Sequence, residues 1–157
     1  MLRIVKFALG IIVAVTMAVI IFIPSLISIY QDILPFTRKP VAKMSVIATA
    51  YYHPHKNQNK FLHGSYKKEV KVNGTGIVFS SGKIARIGDI AADCNILPFG
   101  TVIWIPTLNL VGQVTDIGHA IKGRRIDVFM GEGERALERA VGFGRKQTEI
   151  FILEWGA

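Results

Sequence analysis

Residues Phe7 to Tyr30, FALGIIVAVTMAVIIFIPSLISIY, form a run of 24 residues without a charge, and no other feature limits the fold so strongly. A helix needs roughly 20 apolar residues to cross the hydrocarbon core of a bilayer. Arg3 and Lys6 precede the run and Asp32 follows it. The positive flank is retained in the cytoplasm, so the remaining chain is expected on the outer side. A cleaved signal segment is the competing reading. The apolar stretch is long for that role, and no small-x-small site follows it cleanly. A buried core helix of this length is too large for so small a domain. Pro24 is expected to kink the helix or to mark its exit from the bilayer.

This divides the chain into an anchor or signal segment (1–31), a stalk rich in proline and basic residues (32–44) and one domain (45–157). Cys94 is the sole cysteine, so the exported domain has no internal disulfide. The whole chain carries a net charge of +8. Setting aside Arg3, Lys6, Arg38, Lys39 and Asp32 leaves fifteen basic against ten acidic residues, a net +5. An outward-facing basic domain favours anionic partners such as wall polymers or lipid headgroups. Nucleic acid suits the charge but not the location, and is not expected.

Short strand patterns dominate the domain. Ser45–Tyr52 (SVIATAYY) is β-branched and aromatic, and Thr101–Pro106 and Val111–Asp116 flank an expected turn at TLNL. Arg125–Met130 alternates, with Ile126 and Val128 on one face and Asp127 and Phe129 on the other; Thr148–Trp155 alternates again. GTGIVF and DIAADCNI read as short strands. One helix is expected at GERALERAVG, with Gly142 as its stop. Many short strands with glycine-rich connections predict a small closed barrel, which leaves no sheet edge exposed. His53–Lys71 is polar, basic and aperiodic, and reads as a long surface loop or ragged hairpin walling a groove.

Three aspartates follow apolar or β-prone stretches: Asp93, Asp116 and Asp127. A carboxylate near a barrel interior must be hydrogen-bonded, paired or partly protonated. A raised pKa is what general-acid work requires, and neighbouring carboxylates raise one another. The plainer alternative is a turn or cap role for each. No phosphate-binding glycine loop or nucleophile elbow is present.

IAADCNILPFGTVIWIP followed by VTDIGHAIKGRRIDVF resembles the 3D domain, named for its three aspartates. That domain occurs in the membrane-bound lytic transglycosylase A family and in small stationary-phase survival proteins. ATAYY at Ala48–Tyr52 and FGRK before TEIFIL resemble its first and closing segments. The resemblance implies a mostly β fold, a six-stranded double-psi β-barrel with one short helix here, and cleavage of the β-1,4 bond between N-acetylmuramic acid and N-acetylglucosamine in peptidoglycan. The product carries a 1,6-anhydro ring. It implies Asp127 as the catalytic acid and base, with Asp116 and Asp93 lining the same site. No cofactor or metal is called for.

One acid suffices if the sugar's own 6-hydroxyl attacks, because that group is already tethered. Thr49 and Tyr51 alternate on one strand face and are expected to line the groove. Lys122 is a candidate for substrate binding or for orienting a carboxylate, and Arg124 and Arg125 for peptide-stem carboxylates. His119 stands where glycine is usual, and YHPH replaces the usual context after the first tyrosine. Two alternatives stay open: a non-catalytic wall-binding or scaffold domain on the same fold, and a metal-dependent hydrolase using Asp116 and His119.

Overall fold

The computed structural model describes residues 38–157 except Thr75 and Ile77, together with Ile23. The expected membrane helix, apart from Ile23, and residues 32–37 of the stalk lie outside the described residues. Among the described residues no helix is long and apolar enough to cross a membrane. Residues 40–157 form a compact unit of their own.

That unit contains β1 (Ala42–His53), α1 (Tyr66–Asn73), β2 (Ile90–Ala92), β3 (Val102–Ile105), β4 (Leu110–Asp116), β5 (Arg125–Glu132), α2 (Gly133–Phe143) and β6 (Lys146–Glu154). The strands close into a six-stranded barrel in the order β1-β5-β2-β4-β3-β6. Pairing is parallel for β1–β5 and β2–β4 and antiparallel elsewhere. β1 starts at Ala42, inside the expected stalk, because Val41 already donates to the Ile152 carbonyl at 2.8 Å and Ala42 pairs with Ile152.

Alternation along each strand separates the two faces of the barrel wall. Val46, Ile90, Ile103, Val114, Ile126 and Ile150 point inward and are at most 2% exposed. Full burial of one such aliphatic side chain contributes roughly 1.5–3 kcal/mol. Gly112 lets β2 and β4 approach: a Cβ there would collide with the Gly88 carbonyl oxygen and meet Ile90 Cγ1 at 2.9 Å.

Two regions depart from the sequence reading. The stretch expected as loop contains α1, opened by Ser65, whose hydroxyl accepts from the Lys68 amide at 3.4 Å. GTGIVF forms no named strand at its described residues, and Val78 makes only an isolated bridge to Ile84. The helix expected at GERALERAVG is α2. It runs through Gly142 and stops at Gly144, whose φ of +67° suits glycine and whose amide donates to Ala140 at 3.2 Å. Ala136, Leu137 and Ala140 pack on Tyr52.

Candidate active site

Strand register builds the site. Thr49 pairs with Asp127 and Tyr51 with Phe129 across the parallel β1–β5 ladder. On the other side of β5, Ala91 of β2 pairs with Asp127, and across β2 it also pairs with Asp116 of β4. The two aspartates therefore flank one small residue, with the β2 strand between them. Two interstrand steps separate their backbones by about 9–10 Å. The methyl group of Ala91 forms part of the floor of a groove of about 750 Å³.

Asp116 is fully engaged. Its Oδ2 accepts from the Tyr51 hydroxyl at 3.2 Å. Its Oδ1 accepts from the Ser80 amide at 3.1 Å and the Ser80 hydroxyl at 2.7 Å. Burial, and then the Asp116 charge, drive the Tyr51 phenol far above its ordinary pKa, so it remains a donor.

Asp127 is the opposite case. Its Oδ1 is buried without a hydrogen-bond partner. Burial pushes the carboxyl up to about 6, while Thr49 and the Arg125 charge pull it back. The repulsion expected from Asp116 and Asp93 is not among the causes of this shift. The intervening β2 strand separates Asp116, and Asp93 lies elsewhere.

Asp93 sits on the turn after β2 and does not line the groove. Its Oδ2 accepts from the Gly123 amide at 2.9 Å, and its Oδ1 accepts from the Asn95 amide and side chain at 3.1 Å each. These bonds hold the carboxyl below its usual range. Asp93 thus ties down the β4–β5 loop, where Gly123 has φ +65°. In the same loop Ile121 is buried. A side chain on Gly118 would press into it, with a Cβ 2.5 Å from Ile121 Cγ1. These contacts account for Gly118, Ile121 and Gly123 of DIGHAIKG and for Asp93 of the preceding motif.

Of the other expected site residues, Thr49, Tyr51, His119 and Arg125 line the groove, and Lys122 and Arg124 do not. The Arg125 Nη1 donates to the Ala120 carbonyl at 3.3 Å. Lys122 and Arg124 are exposed. Among the described residues no three His, Cys, Asp or Glu side chains converge on a point that could hold a metal, so Asp116 and His119 gain no third ligand.

Two groove residues, Ser80 and Phe79, carry no signal in the sequence, and a third, His53, is marked only by its pairing with His55, a spacing compatible with a metal site. Ser80 lies in a polar SSG turn and carries no pattern that points to Asp116. Phe79 joins Tyr51 and Phe129 in an aromatic cluster, its ring 5.2 Å from that of Phe129. His53 packs 4.6 Å from the Phe129 ring, and its Nδ1 is buried without a partner. Burial lowers its pKa against the pull of Glu132 and Asp116. The unusual YHPH context was the one available signal for His53.

Residues 89–154 match the model of the 3D domain family. Comparison with curated proteins found no match. Among solved structures, the chain is similar to MltA from E. coli with bound chitohexaose, at 20% identity and a TM-score of 0.42, covering 54% of this chain and 30% of that one. LtgG, a lytic transglycosylase of Burkholderia pseudomallei, is 28% identical with a TM-score of 0.42, covering 52% and 28%. MltA from Neisseria gonorrhoeae is 24% identical with a TM-score of 0.39, covering 51% and 24%. The chain spans less than a third of the length of each of these three structures. The match to the 3D domain family thus runs from Asp89, just before β2, to Glu154 at the end of β6.

Proposed function

We propose that this chain is a peptidoglycan lytic transglycosylase that cleaves the β-1,4 bond between N-acetylmuramic acid and N-acetylglucosamine. The observation that carries this reading is the Asp127 carboxyl: buried in a groove, unpartnered at Oδ1 and held near pH 6. A group of that pKa is protonated about one time in ten at neutral pH, and its conjugate base is still basic enough to recover a proton.

The step balances without water. Asp127 gives its proton to the glycosidic oxygen as the bond from that oxygen to the muramic C1 breaks. The leaving N-acetylglucosamine departs with a free 4-hydroxyl. The Asp127 carboxylate then takes the proton of the muramic 6-hydroxyl as O6 bonds to C1, closing the 1,6-anhydro ring and restoring the acid. Asp116, fixed by Tyr51 and Ser80, steadies positive charge that develops at C1. Asp93 is a positioning residue acting through the β4–β5 loop. Thr49, Tyr51, His119 and Arg125 contact the glycan from the groove walls, and Arg124 and Lys122 meet its charged appendages outside the groove.

The same reading takes residues 1–31 as a single-pass anchor in the cell membrane, residues 32–44 as the stalk and the barrel as extracytoplasmic. It also takes the barrel as double-psi, which the two parallel pairs, β1–β5 and β2–β4, support.

The test is incubation of the full-length chain, in detergent, with purified peptidoglycan and mass analysis of the soluble products. Fragments ending in anhydro-muramic acid, lost in Asp127→Asn, are expected. Binding without fragments would make the domain a scaffold. Free reducing ends would replace transglycosylation with hydrolysis.

A further inference from the structure

The groove has a second half, built mainly by residues 54–74 outside the matched 3D stretch and completed by α2. This segment is pinned at both ends. His55 Nε2 lies 3.1 Å from Glu132, the Asn59 amide donates to Glu134 at 3.3 Å, and Lys60 lies 3.6 Å from Glu138. Further on, Glu69 is completely buried. It accepts from the His63 amide at 2.9 Å, meets His63 Nδ1 at 3.0 Å and accepts from Asn73 at 3.3 Å. The Tyr52 hydroxyl adds to these bonds, and together they hold the Glu69 carboxyl below its ordinary pKa despite its burial. A buried carboxyl this well satisfied fixes the wall rather than leaving it to fluctuate.

What the wall presents is unusual for a glycan site. Leu62, Val72 and, from α2, Val141 line the groove while 63%, 62% and 54% exposed. Lys71 lies among them and makes no ion pair among the described residues. The bare glycan offers hydroxyls, acetamido groups and a single lactyl group on each muramic acid, but no aliphatic side chains set beside several carboxylates. An acidic peptide with small aliphatic side chains offers both. In the other half of the groove Arg125 is offset by Asp116 and Asp127 and donates to the Ala120 carbonyl, so charge directs such a peptide to the Lys71 side.

We propose that Leu62, Lys71, Val72 and Val141 form an accessory subsite for the short acidic peptide carried on the muramic acid, with Lys71 meeting a peptide carboxylate. The proposal rests on the function proposed above. It adds that the chain discriminates between peptide-bearing and bare glycan.

The experiment compares intact peptidoglycan with the same glycan stripped of peptides by an amidase that cuts after the lactyl group. The full-length chain in detergent is assayed on both for fragment release and for co-sedimentation. Wild type is expected to favour the peptide-bearing polymer by about tenfold in kcat/KM and in retained protein, the scale of one charge-assisted contact. Lys71→Glu, an exposed change, should erase that preference while release from stripped glycan is kept. Leu62→Ser with Val72→Ser should erase it in part. Equal handling of the two polymers by wild type, or an equal loss on both in Lys71→Glu, overturns the proposal. Peptide-dependent sedimentation with no fragments from either polymer supports this subsite and overturns the cleavage reading instead.

Discussion

The hydroxyl of Tyr51 on β1 donates to Asp116 Oδ2 at 3.2 Å across 65 residues of sequence, while the Tyr51 ring lies 5.3 Å from that of Phe129. One residue thus ties the Asp116 end of the site to the strand that carries Asp127. Tyr51→Phe keeps the ring and deletes only the hydrogen bond. It should lower stability by about 1–2 kcal/mol by thermal melting. It should also lower kcat/KM on peptidoglycan by about tenfold, because Asp116 is then held by Ser80 alone.

Asp127 gives the stability a pH signature with an unusual sign. Its carboxyl is raised from 3.8 to about 6 on folding. Below pH 4 both folded and unfolded chains hold the proton and nothing is lost. Between pH 4 and 6 the unfolded chain releases its proton first, so stability falls as pH rises. About two pKa units correspond to roughly 3 kcal/mol above pH 6. Asp127→Asn should therefore match wild type in urea melts near pH 4 and exceed it near pH 7. In the wild type, fragment release should decline as pH rises through 6.

Glu69 should behave in the reverse sense. Its folded pKa is lowered, so its contribution is present above its ordinary 4.5 and is lost as pH falls. Glu69→Ala strands donors from His63, Asn73 and Tyr52 and should cost about 3 kcal/mol at neutral pH. Glu69→Gln should cost less. Amide exchange at His63 should accelerate in both variants while β5 amides stay protected.

Gly112→Ala tests the close approach of β2 and β4. The new methyl would collide with the Gly88 carbonyl oxygen, which is backbone and cannot swing aside. A loss of about 2–4 kcal/mol is expected in denaturant melts. Gly142→Ala, where nothing lies within 4 Å and the backbone is helical, should be neutral or slightly stabilising.

Alternation in RIDVFM was enough to put Ile126 and Val128 on the inner face of the barrel wall and Asp127 and Phe129 on the opposite face, because period two survives in any pleated strand. The four longer strands of the 3D stretch were legible for the same reason, and α2 through the helical spacing of Ala136, Leu137 and Ala140. The parallel pairing of β1 with β5 was not, since nothing local to either strand specifies a partner such as Asp127 for Thr49, far along the chain. Helix α1 was missed because its sequence, YKKEVKVN, shows too little apolar periodicity; a buried glutamate, not an apolar stripe, holds it. Asp93 was expected in the groove because the family resemblance implied it there, and the apolar run before it gave no contrary sign. Only the turn geometry shows that it serves the Gly123 amide instead. Ser80 left no trace at all, because a hydroxyl in a polar turn looks the same whether or not a carboxylate faces it.

The Ala91 register has a bearing on how such a domain diversifies. Asp116 and Asp127 owe their spacing to hydrogen-bond ladders on either side of one alanine. A slip by a single position would turn Asp127 into the oily interior and Ile126 out to solvent. The chemistry is consequently locked to the barrel's own folding and cannot be retuned gradually. The outlying wall carries no such constraint, so a lineage altering its diet would be expected to rewrite residues 54–74 and leave the alanine alone.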